Sequence, residues 1–424
     1  MKSLRIAINA QLRPGGIVGG VEQFLMGLVH SLGQLNDGPE EYIIISHWQE
    51  PNWLEPYLGP NQRIIPGPRQ AAILNQRIVR WLGPFRRPLK KLWMESQQLI
   101  RRHPELSPSS AASKSAGFYE SLGVNLIHFP YQSYVYCGLP ALFNPHDLQH
   151  LHYPQYFTQQ QLCARERLYP VACQHAQAIA TESQWVKADI IKQYGIEPKK
   201  IYPILRGSPT ELYAPITDKN LEETRRKFQI PNTYAFYPAQ TWPSKNHIRL
   251  LKAIKLLKDQ HNSYINLICT GTKNEFWPTI AKCIRELELD EQVHFLGFVS
   301  TIELRSIYHL SQFVVFPTLF EGGGFPVLEA FWEGVPITCS AVTSLPEYGG
   351  NAVLYFDATS VESIAAAMRQ MSTNAQLRTK MRQRANKRIR LFTWERTAMT
   401  YRALYRKLAG QLLSHEERIL LASD

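Results

Sequence analysis

The sequence predicts an α/β protein of two domains, each a parallel sheet covered on both faces by helices. Three observations carry this. The chain has 424 residues, which suits two domains at ~100–200 residues each. Short apolar runs of the kind that form buried parallel strands alternate with stretches of helical periodicity. The alternation occurs twice, before and after about residue 210, as two separate sheets require.

The first strand is read at Leu4–Asn9, followed by a glycine-rich loop, Pro14–Gly20. A helix follows, because Val21, Phe24, Leu25, Leu28, Val29 and Leu32 recur at helical spacing. Further strands are expected at Tyr42–Ile45, Asn125–Phe129 and Ala141–Phe143. The second half gives strands at Tyr234–Tyr237, Ile265–Cys269, Val293–Leu296, Phe313–Phe316, Pro336–Cys339 and Val353–Phe356. Helices fill the gaps, for example His247–Lys258, Glu275–Glu286 and Val361–Met371. Gly207, Pro209 and Pro215 mark Arg206–Thr217 as the join. No internal repeat is visible.

Composition sets bounds on function. With 44% hydrophobic and 19% charged residues, the chain is no disordered protein. Its six cysteines (137, 163, 173, 269, 283, 339) are scattered, which fits free thiols in a reducing compartment. The segment Met1–Arg5 runs straight into a strand without a signal-peptide apolar region, and no run is long enough to span a membrane. The expectation is a cytoplasmic protein, peripheral at most on the inner face of the plasma membrane. Net charge is +12, and Arg63–Arg102 supplies most of it, with ten Lys/Arg against Glu95 alone. Trp81, Phe85 and Trp93 lie among these cations. The pattern fits contact with an anionic membrane surface, or an insertion with a solvated basic face. Pro84 and Pro88 rule out one straight helix there. The polar, small-residue stretch Ser107–Ser115 reads as a mobile linker.

Ligands of doubly wound domains bind at the carboxyl ends of the strands, and four such loops carry chemistry. The strongest is Phe316–Gly334. Gly322, Gly323 and Gly324 follow Glu321, and a helix starts near Pro326, with Glu329 in its first turns. Bare glycine backbone lets N–H groups approach a ligand, and the helix N-terminus favours anions. One carboxylate suits positive charge at a sugar carbon; the other suits two ribose hydroxyls. A plain turn with a surface Glu is the bland alternative. The second loop, Tyr237–His247, places Lys245 to meet phosphates. The third, Asn144–Pro154, holds His146, Asp147, His150 and His152. Its histidines are poorly spaced for zinc, and Asp-x-Asp is absent from the chain, so no metal site is expected. The fourth is Gly15–Gly20, which lacks the Gly-x-Gly-x-x-Gly pattern of dinucleotide binders.

The string from Glu321 to Glu329 resembles the Glu-x7-Glu signature of family-4 retaining glycosyltransferases. Val293–Val299 and Ser344–Glu347 match the flanks of that signature. The similarity covers most of residues 140–400 and, more weakly, residues 1–35. It implies the GT-B fold: two Rossmann-like domains facing across a cleft, with an acceptor domain at 1–206, a nucleotide-sugar domain at 207–395 and a helix at 396–424 crossing back. It implies that Glu321 contacts the donor sugar, amides from Gly323 to Phe325 bind its hydroxyls, and Glu329 takes the ribose. By the same resemblance Lys245 neutralises the donor diphosphate, His146 lies against the donor sugar, and Gly19 and Gly20 border the acceptor and donor.

This chain departs from the family where an Arg normally joins the Lys: Gln240 stands near that place. Arg249 or Lys273 is the candidate replacement. Arg206 falls where relatives have Asn, as an added cleft cation or a hinge residue. Trp394 is read as packing, His150 and His152 as surface or packing residues, and Glu347 as a helix cap or pocket residue. The implied activity is metal-independent, retaining transfer of a hexosyl group, mannosyl favoured. It runs from a GDP- or UDP-linked sugar to a glycan or lipid-linked acceptor in polysaccharide assembly, with no cofactor and no nucleic acid. A GT-B-like phosphorylase or epimerase, or a basic nucleic-acid- or membrane-binding protein without catalysis, are the alternatives.

Overall fold

A computed structural model describes residues 3–15, 19–68, 115 and 117–422. The basic residues from Arg69 to Arg102, the polar stretch 107–114 and residues 16–18 of the glycine loop lie outside the described residues. So does the reading of Arg63–Arg102 as a membrane-contacting segment, apart from Arg63 itself.

The described chain folds around two parallel sheets. The first comprises β1 (Leu4–Ala10), β2 (Glu40–Ser46), β3 (Gln62–Pro66), β4 (Leu126–Phe129), β5 (Ala141–Phe143), β6 (Ala178–Thr181) and β7 (Ile201–Pro203), in the order β3-β2-β1-β4-β5-β6-β7. The second comprises β8 (Ala235–Pro238), β9 (Leu267–Thr270), β10 (Val293–Phe295), β11 (Phe313–Phe316), β12 (Ile337–Ser340) and β13 (Leu354–Phe356), in the order β10-β9-β8-β11-β12-β13. All the pairings are parallel; β1 against β2 runs from Leu4↔Glu40 to Ala10↔Ser46. Every strand expected from the sequence forms, with ends shifted by at most two residues. The strands β3, β6 and β7 were not expected: β3 is Gln-Arg-Ile-Ile-Pro, β6 is Ala-Ile-Ala-Thr and β7 is Ile-Tyr-Pro, runs of five residues or fewer.

Each sheet is buried on both faces. The helix Gly20–Gln34 covers one face of the first sheet with Phe24, Leu25, Leu28, Val29 and Leu32. On the other face, Tyr169, Ala172 and Cys173 of the helix Gln159–His175 and Val186 and Ile190 of the helix Gln184–Tyr194 pack together. The helix Trp394–Leu408 lies beyond the second sheet in sequence, yet Trp394, Ala398, Tyr401, Leu404 and Tyr405 complete the core of the first. A Cβ on Gly27 would stand 2.1 Å from the Trp394 ring, so only glycine lets the two helices approach this closely.

The crossing-back helix begins at Trp394 with Thr393 as its cap, so the domain cut after 395 falls inside its first turn. It ends at Leu408; Gly410 turns the chain at φ 72°, and a second helix occupies His415–Ala422. The join at Arg206–Thr217 is packed against the crossing-back helix. Trp394 Nε1–H donates to Ser208 O at 2.8 Å, and Thr397 Oγ1–H donates to Leu205 O at 2.9 Å. Among the described residues no helix is long and apolar enough to cross a membrane.

Candidate active site

The carboxyl ends of both sheets open on one cavity of about 670 Å³. Loops after β1, β4, β5, β6 and β7 line it from the first sheet, and loops after β8 to β11 from the second. The two sides also touch directly. Both Glu347 oxygens accept backbone N–H bonds at the start of the helix Gln184–Tyr194, from Gln184 at 2.8 Å and Trp185 at 2.7 Å. Glu347 is thus a cap, placed by one sheet's loops on the other sheet's helix. Tyr348 Oη–H donates to Glu182 O at 2.9 Å.

On the second-sheet side, β11 ends at Phe316 and the chain turns through Glu321 into the helix Phe325–Trp332. Glu321 is pinned from several directions. Its side chain accepts from Thr318 Oγ1 at 2.9 Å and pairs with Lys245 Nζ. Its N–H donates to Thr343 Oγ1 at 3.1 Å, and its carbonyl accepts from Ser344 Oγ at 3.0 Å. Lys245, Glu321, Gly322, Gly323, Phe325, Pro326 and Glu329 all line the cavity. Glu329 is buried there; burial raises its carboxyl to about 7, and Tyr308 Oη–H donates to it at 2.7 Å, opposing the rise.

Gly324 caps the helix between Gly323 and Phe325, and a Cβ there would stand 2.6 Å from the Tyr348 ring, so packing as well as the turn requires glycine. Arg249 and Lys273 are corrected. Arg249 donates to Asn246 Oδ1 at 3.1 Å, and Lys273 lies 4.3 Å over the Trp277 ring; neither faces the cavity. Gln240 does line it, with Oε1 accepting from Trp242 Nε1 at 2.7 Å. Among the described residues, the Lys and Arg side chains lining the cavity are Lys245 and Arg206.

On the first-sheet side, Gly19 and Gly20 reach across: a Cβ on Gly19 would stand 3.6 Å from Gln240 Nε2, and one on Gly20 would stand 3.3 Å from the Phe325 ring. His146 lines the cavity but is only 5% exposed. It adopts φ 66°, a strained conformation that surrounding contacts must hold. Its Nε2 bonds Pro130 O at 2.9 Å, and its Nδ1 meets Arg206 Nη2 at 2.5 Å and the Glu182 carboxylate. Burial, then the Arg206 charge, hold its imidazole well below the usual pKa. Its Nε2–H donates to the Pro130 carbonyl, which can only accept. Arg206 also pairs with Glu182 and lies 4.4 Å over Phe24 and 5.4 Å over Phe325.

Of the other loop histidines, His152 bonds Asp189 at 2.8 Å and packs near Phe320. His150 is buried against Tyr169. Behind the His146 loop, His128 Nε2 bonds Asn144 Oδ1 at 2.8 Å, Asn144 Nδ2–H donates to Tyr401 at 2.7 Å, and His128 Nδ1 bonds Tyr405 at 2.7 Å.

Residues 220–388 match the family described as Glycosyl transferases group 1. The match lies over the second sheet and the helices around it. The chain is 28% identical over 280 residues to the O-antigen chain mannosyltransferase B of Escherichia coli, covering 62% of this chain and 72% of that enzyme. Its fold matches the sucrose-phosphate synthase of Thermosynechococcus elongatus at TM-score 0.67 and 17% identity, over 96% of this chain and 99% of that one. It matches Anabaena Alr3699/HepE in complex with UDP and glucose at TM-score 0.67 and 15% identity, over 95% of this chain and 100% of that one. At such identities the structural likeness fixes the architecture, the two-domain GT-B arrangement, and nothing finer.

Sequence reasoning missed Glu182. It follows the four-residue strand β6 and sits just before Ser183, whose hydroxyl caps the next helix by accepting from Val186 N–H. A carboxylate squeezed between a strand end and a helix cap was the available signal.

Proposed function

We propose that the protein is a glycosyltransferase that moves a hexosyl group, mannosyl in preference, from a nucleoside-diphosphate sugar to a glycan or lipid-linked saccharide. Configuration is retained, and neither an added metal nor a cofactor takes part. The observation that carries this reading is the pairing of Lys245 with Glu321 at the Gly322–Gly323 turn, opening into the cavity beside a helix N-terminus. Lys245 and the turn amides supply fixed positive charge to the departing diphosphate, the preorganised electrostatics that dominate many catalytic sites. Glu321 lies where a sugar carbon gains positive character. Glu329 lies deeper, at the place for two ribose hydroxyls. The step adopted is attack on the face the diphosphate leaves, with that phosphate taking the acceptor proton.

The mannosyl preference rests on the printed activity of the Escherichia coli relative, and the nucleotide donor is in keeping with UDP in the HepE complex. Both are analogies between proteins. The test is thermal melting with GDP-, UDP- and ADP-sugars without added metal. A ligand that binds only the folded state raises the midpoint. A rise with one nucleotide class is expected; no rise with any donor contradicts the reading.

A further inference from the structure

The family signature accounts for the second-sheet wall of the cavity and leaves the buried Glu182–Arg206 pair on the opposite wall unused. Both residues line the cavity while their side chains are 2% and 7% exposed. They abut the Gly322–Gly323 turn: a Cβ on Gly323 would lie 3.7 Å from Glu182 Cβ and 3.8 Å from Arg206 Nη1. Glu182 Oε1 is taken by Arg206, whereas Oε2 is buried with no hydrogen-bond partner. A carboxylate only accepts, and a buried acceptor left unmet is costly. His146 offers it no other proton, since the Nε2–H is held by Pro130.

We propose that Glu182 and Arg206 form a hydroxyl-reading subsite that selects the donor sugar, Glu182 Oε2 accepting from one sugar hydroxyl while Arg206 neutralises the carboxylate. The inference rests on the donor reading above. It makes Glu182 a specificity-determining residue. A neutral hexosyl group satisfies Oε2. A sugar lacking that hydroxyl leaves Oε2 unmet. A uronosyl group brings a second carboxylate against a guanidinium already committed to the first, with like charges crowded in a buried site.

The experiment compares binding of the wild-type protein to a hexosyl nucleotide, to each monodeoxy version of it, and to the uronosyl version. One monodeoxy version and the uronosyl version should bind on the order of 10²-fold more weakly. Glu182→Gln keeps the shape, frees Arg206 and supplies an amide; the uronosyl penalty should fall to within about tenfold. If the wild type binds the hexosyl donor and all its versions equally, the subsite falls and the donor reading stands. If it binds no nucleotide sugar, both fall. The wild-type series decides the matter even where Glu182→Gln fails to fold, and a folded Glu182→Gln with wild-type ratios also overturns it.

Discussion

The two walls of the cleft are built differently. The second-sheet wall takes its two carboxylates and its turn amides from one stretch, Glu321 to Glu329, a single strand-to-helix turn. The first-sheet wall is assembled from side chains far apart in sequence. His146, Glu182 and Arg206 meet there, and His128 and Asn144 tie the strands behind them to Tyr401 and Tyr405 on the crossing-back helix. A local wall gains its geometry from backbone. A composite wall gains it from packing, and is only as rigid as the elements that hold it.

The contrast can be broken first at the packing. Trp394→Ala empties a fully buried site between the helix Gly20–Gln34 and the join, and should cost ~3–5 kcal/mol. Denaturant unfolding followed by hydrogen exchange should place the loss in the first-sheet unit and leave β8–β13 protected. The second-sheet wall should fail in chemistry instead. Glu321→Ala, or Lys245→Ala, should lower turnover by ~10²–10³ with little change in unfolding free energy; near-normal turnover in both would remove the site assignment. The smallest effect is a pH dependence. Burial lifts the Glu329 carboxyl to about 7, so between the usual carboxylate range and 7 the folded protein holds a proton that the unfolded chain has lost. Stability from this group is therefore present at low pH and declines as pH rises through that window. Donor affinity should move the other way, rising roughly fivefold as the carboxylate ionises and accepts ribose hydroxyls more strongly. Glu329→Gln should flatten both curves in melting and titration experiments.

The same contrast explains what could be read in advance. The Glu321–Glu329 spacing, Lys245 and the strands of the second sheet were legible because each signal lies within about ten residues. The three consecutive glycines look alike in sequence, yet a Cβ would meet His146 and Asp147 at Gly322, Glu182 and Arg206 at Gly323, and Tyr348 at Gly324. Glu182 was illegible because its strand is only four residues long, and because its partners lie 36 and 24 positions away. Arg206 was singled out, but its task as the counter-charge of Glu182 belongs to a contact no local pattern encodes. Arg249 and Lys273 had suitable charge and position along the chain, yet Asn246 and Trp277 hold them elsewhere.

The return of the helix Trp394–Leu408 to the first sheet also sets an order of events during synthesis. Domains of most chains finish folding as they emerge, N-terminal first. Here Phe24, Leu28 and Tyr42 wait for Tyr401, Leu404 and Tyr405 to close their core. The ribosome must therefore deliver the whole second sheet before the first is sealed. A chain stopped at the join would carry an open apolar face, exposed to aggregation and to capture by chaperones.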